Sequence, residues 1–224
     1  MANILVISGP QGTGNHVFSK VLSMHSNVYG WDQLLRVYWI NHDNAPFKDI
    51  WNTPENIDNY DWTEHENYVL SVSGPYVDKD AMGVRQTKYP DYKEVLRRLN
   101  DKGNLQVGII GRDQNITAQN QLRKRGVESL HNYLNKIEDI MKYRHTFLSV
   151  ELLYMFRHQY VKSLDRVLDI PVDSTDERLH YILNKDPNAK YVHYVEHSWL
   201  DKRRNNVGEM IDGSVPHVEK DTKF

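Results

Sequence analysis

The apolar residues of this chain fall into short blocks that alternate between two periods. Residues 4–8, "ILVIS", are a continuous run rich in β-branched side chains and closed by Gly9-Pro10, the pattern of a strand buried on both faces in a parallel sheet. From Asn15 the period changes: Val17, Phe18, Val21, Leu22 and Met24 recur at helical spacing, which predicts a helix fed directly by a Gly-rich turn. "NVYGW" (27–31) reads as a second strand and "LLRVYWI" (34–40) as a helix. Residues 44–67, rich in Asn, Asp, Pro and Trp and without a period, read as a long excursion. "YVLSVS" (68–73) and "GVRQT" (83–87) are two further strand candidates, and "DYKEVLRRL" (91–99) is an amphipathic helix. "LQVGIIG" (105–111) is the second strong buried-strand signal, and it runs straight into the helix "NITAQNQLRKRG" (115–126). A helix over about 127–144, the strand "TFLSV" (146–150) and a helix over about 152–168 complete the series, and beyond Pro171 the order weakens.

Strand and helix in strict succession predict an α/β fold of three layers, with a central, mainly parallel sheet flanked by helices and joined by right-handed crossovers. At 224 residues, with 39% hydrophobic and 11% aromatic, the chain is expected to form a single domain over 1–224, ending in a loosely packed tail over about 200–224. Lys+Arg 28 against Asp+Glu 30 leaves a formal charge of −2, so nucleic acid and anionic membranes are not expected partners and any anion site must be local. The absence of Cys excludes a disulfide framework and a thiolate zinc site. The start "MAN" carries no basic segment or cleavage pattern, and no stretch approaches the roughly 20 apolar residues of a membrane span, so a cytoplasmic protein is expected.

The first candidate site is the turn "GPQGTG", Gly9 to Gly14, between a buried strand and a helix start. Such a turn aims backbone N–H groups and the positive end of the helix dipole at one point, where phosphate or sulfate fits. The nucleotide-triphosphatase loop G-x-x-x-x-G-K-[ST] follows its last Gly with a Lys for the phosphates and a hydroxyl for Mg²⁺. Here Asn15 and His16 stand instead, which disfavours a magnesium-dependent kinase. The second candidate is Lys88 in "TKYPDY", just after a strand candidate; alone, such a Lys is usually a solvated residue ahead of a helix-starting Pro. The third is Arg112, at the end of the strand 105–111, with Asn120 eight residues on in the next helix. In an open α/β sheet the carboxyl ends of the strands form the ligand crevice, so Arg112 and the Gly-rich turn are expected on one edge, unless Arg112 merely caps a helix or pairs with Asp113.

Taken in this order, the three segments resemble the sulfotransferase family, and in layout they are most similar to its heparan-sulfating members. "GPQGTGNHVFSKVLSMHSNV" is similar to that family's phosphosulfate loop G-x-x-K-x-G-T followed by a helix and L-H-P-x-V; "KYPDY" resembles its Lys-x-Pro-x-Tyr segment. Arg112, Asp113 and Asn120 resemble its Arg-Asp/Asn-Pro with a Ser eight residues later, and "LSVELL" with Glu151 resembles its strand leading into Y-E-d-L. The resemblance covers roughly residues 3–170, and the family's basic closing loop is matched only loosely by "DKRRNNVG", with Arg203 and Arg204.

The resemblance implies a P-loop-like fold and transfer of a sulfuryl group from 3′-phosphoadenosine 5′-phosphosulfate (PAPS) to a hydroxyl or amine of a small-molecule or glycan acceptor, without a metal. It implies that Gly12, Thr13, Gly14, Asn15 and His16 hold the 5′-phosphosulfate, that Arg112 and Asn120 hold the 3′-phosphate, with Arg203 and Arg204 closing over the nucleotide, and that Lys88 neutralises charge on the bridging oxygen. The chain departs from the pattern in three places. The family's loop lysine falls on Gly12, with His16 and Lys88 as the available cations; its Ser is Asn120; its Pro after Arg-Asp is Gln114. For the base, the nearest carboxylate after the second strand is Asp32, offset by two from the family's Glu, with His42 and Asp43 as rivals. Two other readings stand beside this one: a nucleotide or small-molecule kinase with an eroded loop, and a catalytically inactive nucleotide-binding module of the same fold. The aromatic stretch "WNTPENIDNYDW" is either a sugar or phenol pocket or a set of core anchors.

Overall fold

A computed structural model describes residues 1–30, 46–79, 82–125 and 129–184, all within one compact unit spanning Met1–Lys185. Five parallel strands make the central sheet in the order β2-β3-β1-β6-β7: β1 Ala2–Pro10, β2 Val28–Tyr29, β3 Asn67–Gly74, β6 Gly103–Gly111 and β7 His145–Ser149. The expected α/β architecture is therefore present, with both faces of the sheet covered. Successive residues of β1 point to opposite sides, as the pleat requires. Leu5 and Ile7, with Val69, Ile110 and Leu148, pack against α1 (Asn15–Leu22), α6 (Val150–Leu164) and α7 (Arg178–Leu183). Ile4 and Val6, with Leu70, Val72, Val107 and Ile109, pack against α2 (Tyr92–Lys102) and, through Tyr133 and Ile140, against α4 (Leu130–Leu134) and α5 (Ile137–Met141). Among the described residues no helix is long and apolar enough to cross a membrane.

Register at the amino ends of the strands is held by a row of amides. Asn67 and Asn104 both face Asn3 in the ladder; Asn3 Nδ2 donates to Asn67 Oδ1 at 3.0 Å, and Asn104 Nδ2 donates to Asn3 Oδ1 at 3.1 Å. A slip of one residue would break this row and turn every apolar side chain of the strand to the opposite face. Fixed at one end, the strands finish together at the other: Ser8 lies level with Val72 and Ile109, and Pro10 with Gly74.

Three elements differ from the sequence expectation. The long helix expected over about 127–144 is two short ones, α4 and α5, because the Lys136 N–H bonds the Tyr133 carbonyl; that three-residue spacing tightens the chain and ends α4. The helix expected over about 152–168 runs from Val150 to Leu164 and breaks at Arg157 (φ 46°, ψ −121°). Across that break the Ser149 N–H donates to Tyr160 Oη at 2.9 Å. Eleven residues of straight helix would set those backbones roughly 16 Å apart, beyond a tyrosine's reach, so the break is what permits the contact. The strand candidate at 83–87 is β5, Arg85–Lys88, outside the main sheet; it pairs antiparallel with β4, Tyr76–Lys79, to form a separate hairpin.

Within the excursion, residues 46–66 carry two 3-10 turns, Lys48–Trp51 and Pro54–Asn59, and bury Phe47, Ile50, Trp51, Ile57 and Trp62 in the core. Trp62 Nε1 donates to the Ile57 carbonyl at 2.8 Å. Trp51 and Trp62 are thus core anchors rather than pocket walls.

Candidate functional site

The site is built where β1, β3 and β6 end. After Pro10 the chain turns through Gly12 (φ 88°) and Gly14 (φ 100°) into α1, which has no acidic residue in its first turn and no side-chain cap. The uncapped turn leaves helix N–H groups for another acceptor.

The loop is anchored through its carbonyl oxygens. Gln121 Nε2 donates to the Gln11 carbonyl at 2.8 Å, and Arg112 Nη1 to the Gly12 carbonyl at 2.7 Å, with Asn120 Nδ2 at 3.4 Å from the same oxygen. The Gly14 carbonyl accepts from Val17 and Phe18 of α1. In a trans peptide the N–H points opposite to the C=O. Anchoring the Gln11 carbonyl against α3 (Gln114–Arg125) therefore turns the Gly12 N–H to the far side of the loop, and the Gly14 carbonyl's bonds into α1 turn the Asn15 N–H out of the helix end.

Side chains complete the anchoring. Thr13 Oγ1 donates back to the Pro10 carbonyl at 2.7 Å. Asn15, also buried, donates to Ser73 Oγ at 2.7 Å and the Val72 carbonyl at 3.2 Å, tying the start of α1 to the end of β3. Among the described residues, Gln11 Nε2 is buried without a hydrogen-bond partner, an orphan donor of the loop. His16 is the second residue of α1, half-buried.

The inward side of α3 is polar where a core helix would be apolar. Thr117, Asn120 and Gln121, at helical spacing, are all at most 2% exposed, and Gln121 bridges the loop to the chain before α4 by accepting the Ser129 N–H at 2.7 Å. Arg112, expected on the edge of the Gly-rich turn, lies there, and its guanidinium and the Asn120 amide both reach the carbonyl of Gly12. Gln121 and Thr117 were missed; the signal for them is a buried-side stripe of Thr, Asn and Gln at i, i+3 and i+4 in a helix with almost no apolar face.

Lys88 stands on the same edge by a different route. β3 ends at Gly74, level with Pro10 of the loop; the hairpin leaves from there, and Lys88 pairs across it with Tyr76. Four residues later Tyr92 Oη and Ser8 Oγ are 2.7 Å apart, which pins the segment after Lys88 to the end of β1. Burial raises the Tyr92 hydroxyl well above its ordinary pKa and pushes Tyr133, edge-on to it, up to about 12, so both stay protonated at any working pH. Asp113 caps α3 by accepting the Ile116 N–H at 3.0 Å. Asp32, His42, Asp43, Arg203 and Arg204 lie outside the described residues.

No family model matches this sequence, and no curated protein does. Among solved structures, the chain is similar to mouse sulfotransferase SULT7A1 complexed with PAP, at 11% identity and a TM-score of 0.43. The match takes in 82% of this chain and 63% of the mouse chain.

Proposed function

We propose that this chain is a sulfotransferase that moves a sulfuryl group from PAPS to a hydroxyl or amine of a small-molecule or glycan acceptor, without a metal. The observation that carries the reading is the meeting of Arg112 and Asn120 at the carbonyl of Gly12. A cation and a neutral donor flank the loop on the β6 side, while the N–H groups of Gly12 and Asn15 are turned elsewhere on the same loop. Two groups of anion donors on one sheet edge fit a nucleotide with two separate anionic ends, the 5′-phosphosulfate and the 3′-phosphate. The orphan donor on Gln11 fits an anion as well. The order of the sequence motifs supports a heparan-type layout, and a cytoplasmic setting belongs to the same reading.

PAPS supplies an activated sulfuryl group: the acceptor atom bonds to sulfur, the S–O bond to the 5′-phosphate breaks with its electron pair on the phosphate oxygen, and the acceptor proton leaves to a base. The loop amides, with His16 beside them, and Arg112 with Asn120 bind and orient the nucleotide. Lys88 neutralises the oxygen that takes the electron pair. Asp32 takes the proton, with His42 as its rival.

Thermal shift tests the nucleotide assignment. 3′-Phosphoadenosine 5′-phosphate (PAP) is expected to raise Tm without Mg²⁺ and to do so more than ADP, because a ligand that binds only the folded state stabilises it, and at equal concentration the tighter ligand stabilises it more. Arg112→Ala is expected to remove most of that difference. Equal shifts by PAP and ADP would overturn the 3′-phosphate assignment, and a strict need for ATP with Mg²⁺ would favour the kinase reading. PAP binding without turnover of any acceptor would point to the inactive module.

Turnover tests the base. Asp32→Asn keeps size and capping ability without basicity, so it is expected to leave PAP binding intact and cut kcat by roughly a hundredfold or more. Near-normal turnover in that variant, with loss in His42→Ala, would transfer the role to the histidine.

A further inference from the structure

The turn that carries Arg112 is held by a carboxylate from the start of α6, just past the neighbouring strand β7. Glu151, second residue of α6, accepts the Asp113 N–H on Oε1 at 2.9 Å, and its Oε2 accepts from Ser149 Oγ at 3.2 Å. Ser149 is itself fixed twice, its hydroxyl capping the Leu152 N–H at 3.2 Å and its own N–H held by Tyr160 across the break in α6. A chain of hydrogen bonds thus runs Tyr160–Ser149–Glu151–Asp113 and ends on the peptide adjoining Arg112. From there Arg112 reaches back to the loop at Gly12.

We propose that Glu151 is a positioning residue for the proposed 3′-phosphate site: it sets the backbone beside Arg112 and so the direction of the guanidinium. Arg112 sits between the last residue of β6 and the cap of α3, where the chain leaves the sheet, and a long side chain on a turn has many rotamers to lose on binding. Fixing the next peptide from across the β6–β7 gap reduces that freedom before any ligand arrives. The break in α6 then has a use, since it brings Tyr160 onto the residue that orients Glu151. A neutral helix start would suffice for α6 stability alone; a carboxylate on the Asp113 N–H makes the stronger, charge-assisted contact.

This inference rests on the sulfotransferase reading, and the test separates the two. PAP and ADP affinities are measured by calorimetry on the wild-type chain, Glu151→Gln and Glu151→Ala. Glu151→Ala is expected to narrow the preference for PAP over ADP by about tenfold, the scale of weakening one charge-assisted hydrogen bond to the 3′-phosphate, with ADP affinity within about twofold. Glu151→Gln, which keeps a carbonyl acceptor for the Asp113 N–H, is expected to restore most of the preference. A purely structural role would lower Tm in Glu151→Ala and weaken both nucleotides in parallel, which overturns the proposal; so does a preference unchanged in Glu151→Ala. Absence of any PAP preference in the wild-type chain would overturn the sulfotransferase reading itself. Should Glu151→Ala fail to fold, Tyr160→Phe, which removes only the hydroxyl that orients Ser149, is expected to narrow the preference in the same direction, and no change there overturns the proposal.

Discussion

Lys88→Ala is expected to lower kcat by roughly two to three orders of magnitude while PAP affinity stays within about threefold. The asymmetry follows from what each state contains. PAP lacks the sulfuryl group, so it offers no breaking S–O bond for an ammonium to assist; in the proposed transfer the interaction is realised only as charge builds on the bridging oxygen, and interactions confined to the transition state act on kcat. The hairpin gives Lys88 its place by leaving β3 at Gly74, level with Pro10, and by returning to the sheet edge at Tyr92, whose hydroxyl meets Ser8. Lys88→Arg retains the charge with a broader, planar head and is expected to recover part of the rate. Single-turnover kinetics with PAPS, alongside calorimetry with PAP, separates the steps. Parallel loss of PAP binding and turnover would mean that Lys88 serves as the cation missing from the loop.

Gly12→Ala is expected to lower Tm by roughly 2–8 °C and to weaken PAP by tenfold or more. Gly12 sits at φ 88°, where an L side chain costs about 1–2 kcal/mol. The added Cβ would also lie 2.4 Å from Nδ2 of Asn120. Asn120 is 2% exposed, so its amide must shift within the protein interior rather than out into solvent. The clash therefore displaces Asn120 and disturbs the carbonyl that Arg112 holds. Differential scanning fluorimetry reads the first effect and PAP titration the second. Unchanged PAP affinity in a folded Gly12→Ala chain would show that the junction of Arg112 and Asn120 at this carbonyl does not shape the nucleotide site.

Local pattern was enough for the parts of this protein that depend on near neighbours in the chain. β1 and β6 announce themselves as unbroken apolar runs because both faces of a central parallel strand are buried, and the change of period at Asn15 marks a helix fed by a glycine turn. The place of Arg112 at a strand's carboxyl end follows from the same rule. Contacts between distant residues decided the rest. The bond from Gln121 to Gln11 joins positions 110 apart, so a polar stripe on α3 looks like a solvated face until the loop is folded against it. Trp51 and Trp62 stand in a segment without period, and only the sheet face above them makes them core. α6 reads as one straight helix because its break serves a contact between Ser149 and Tyr160 that no helical period encodes. Periodicity reports which way a residue faces along its own element; the sheet, by aligning strand ends from remote stretches of chain, determines what it faces.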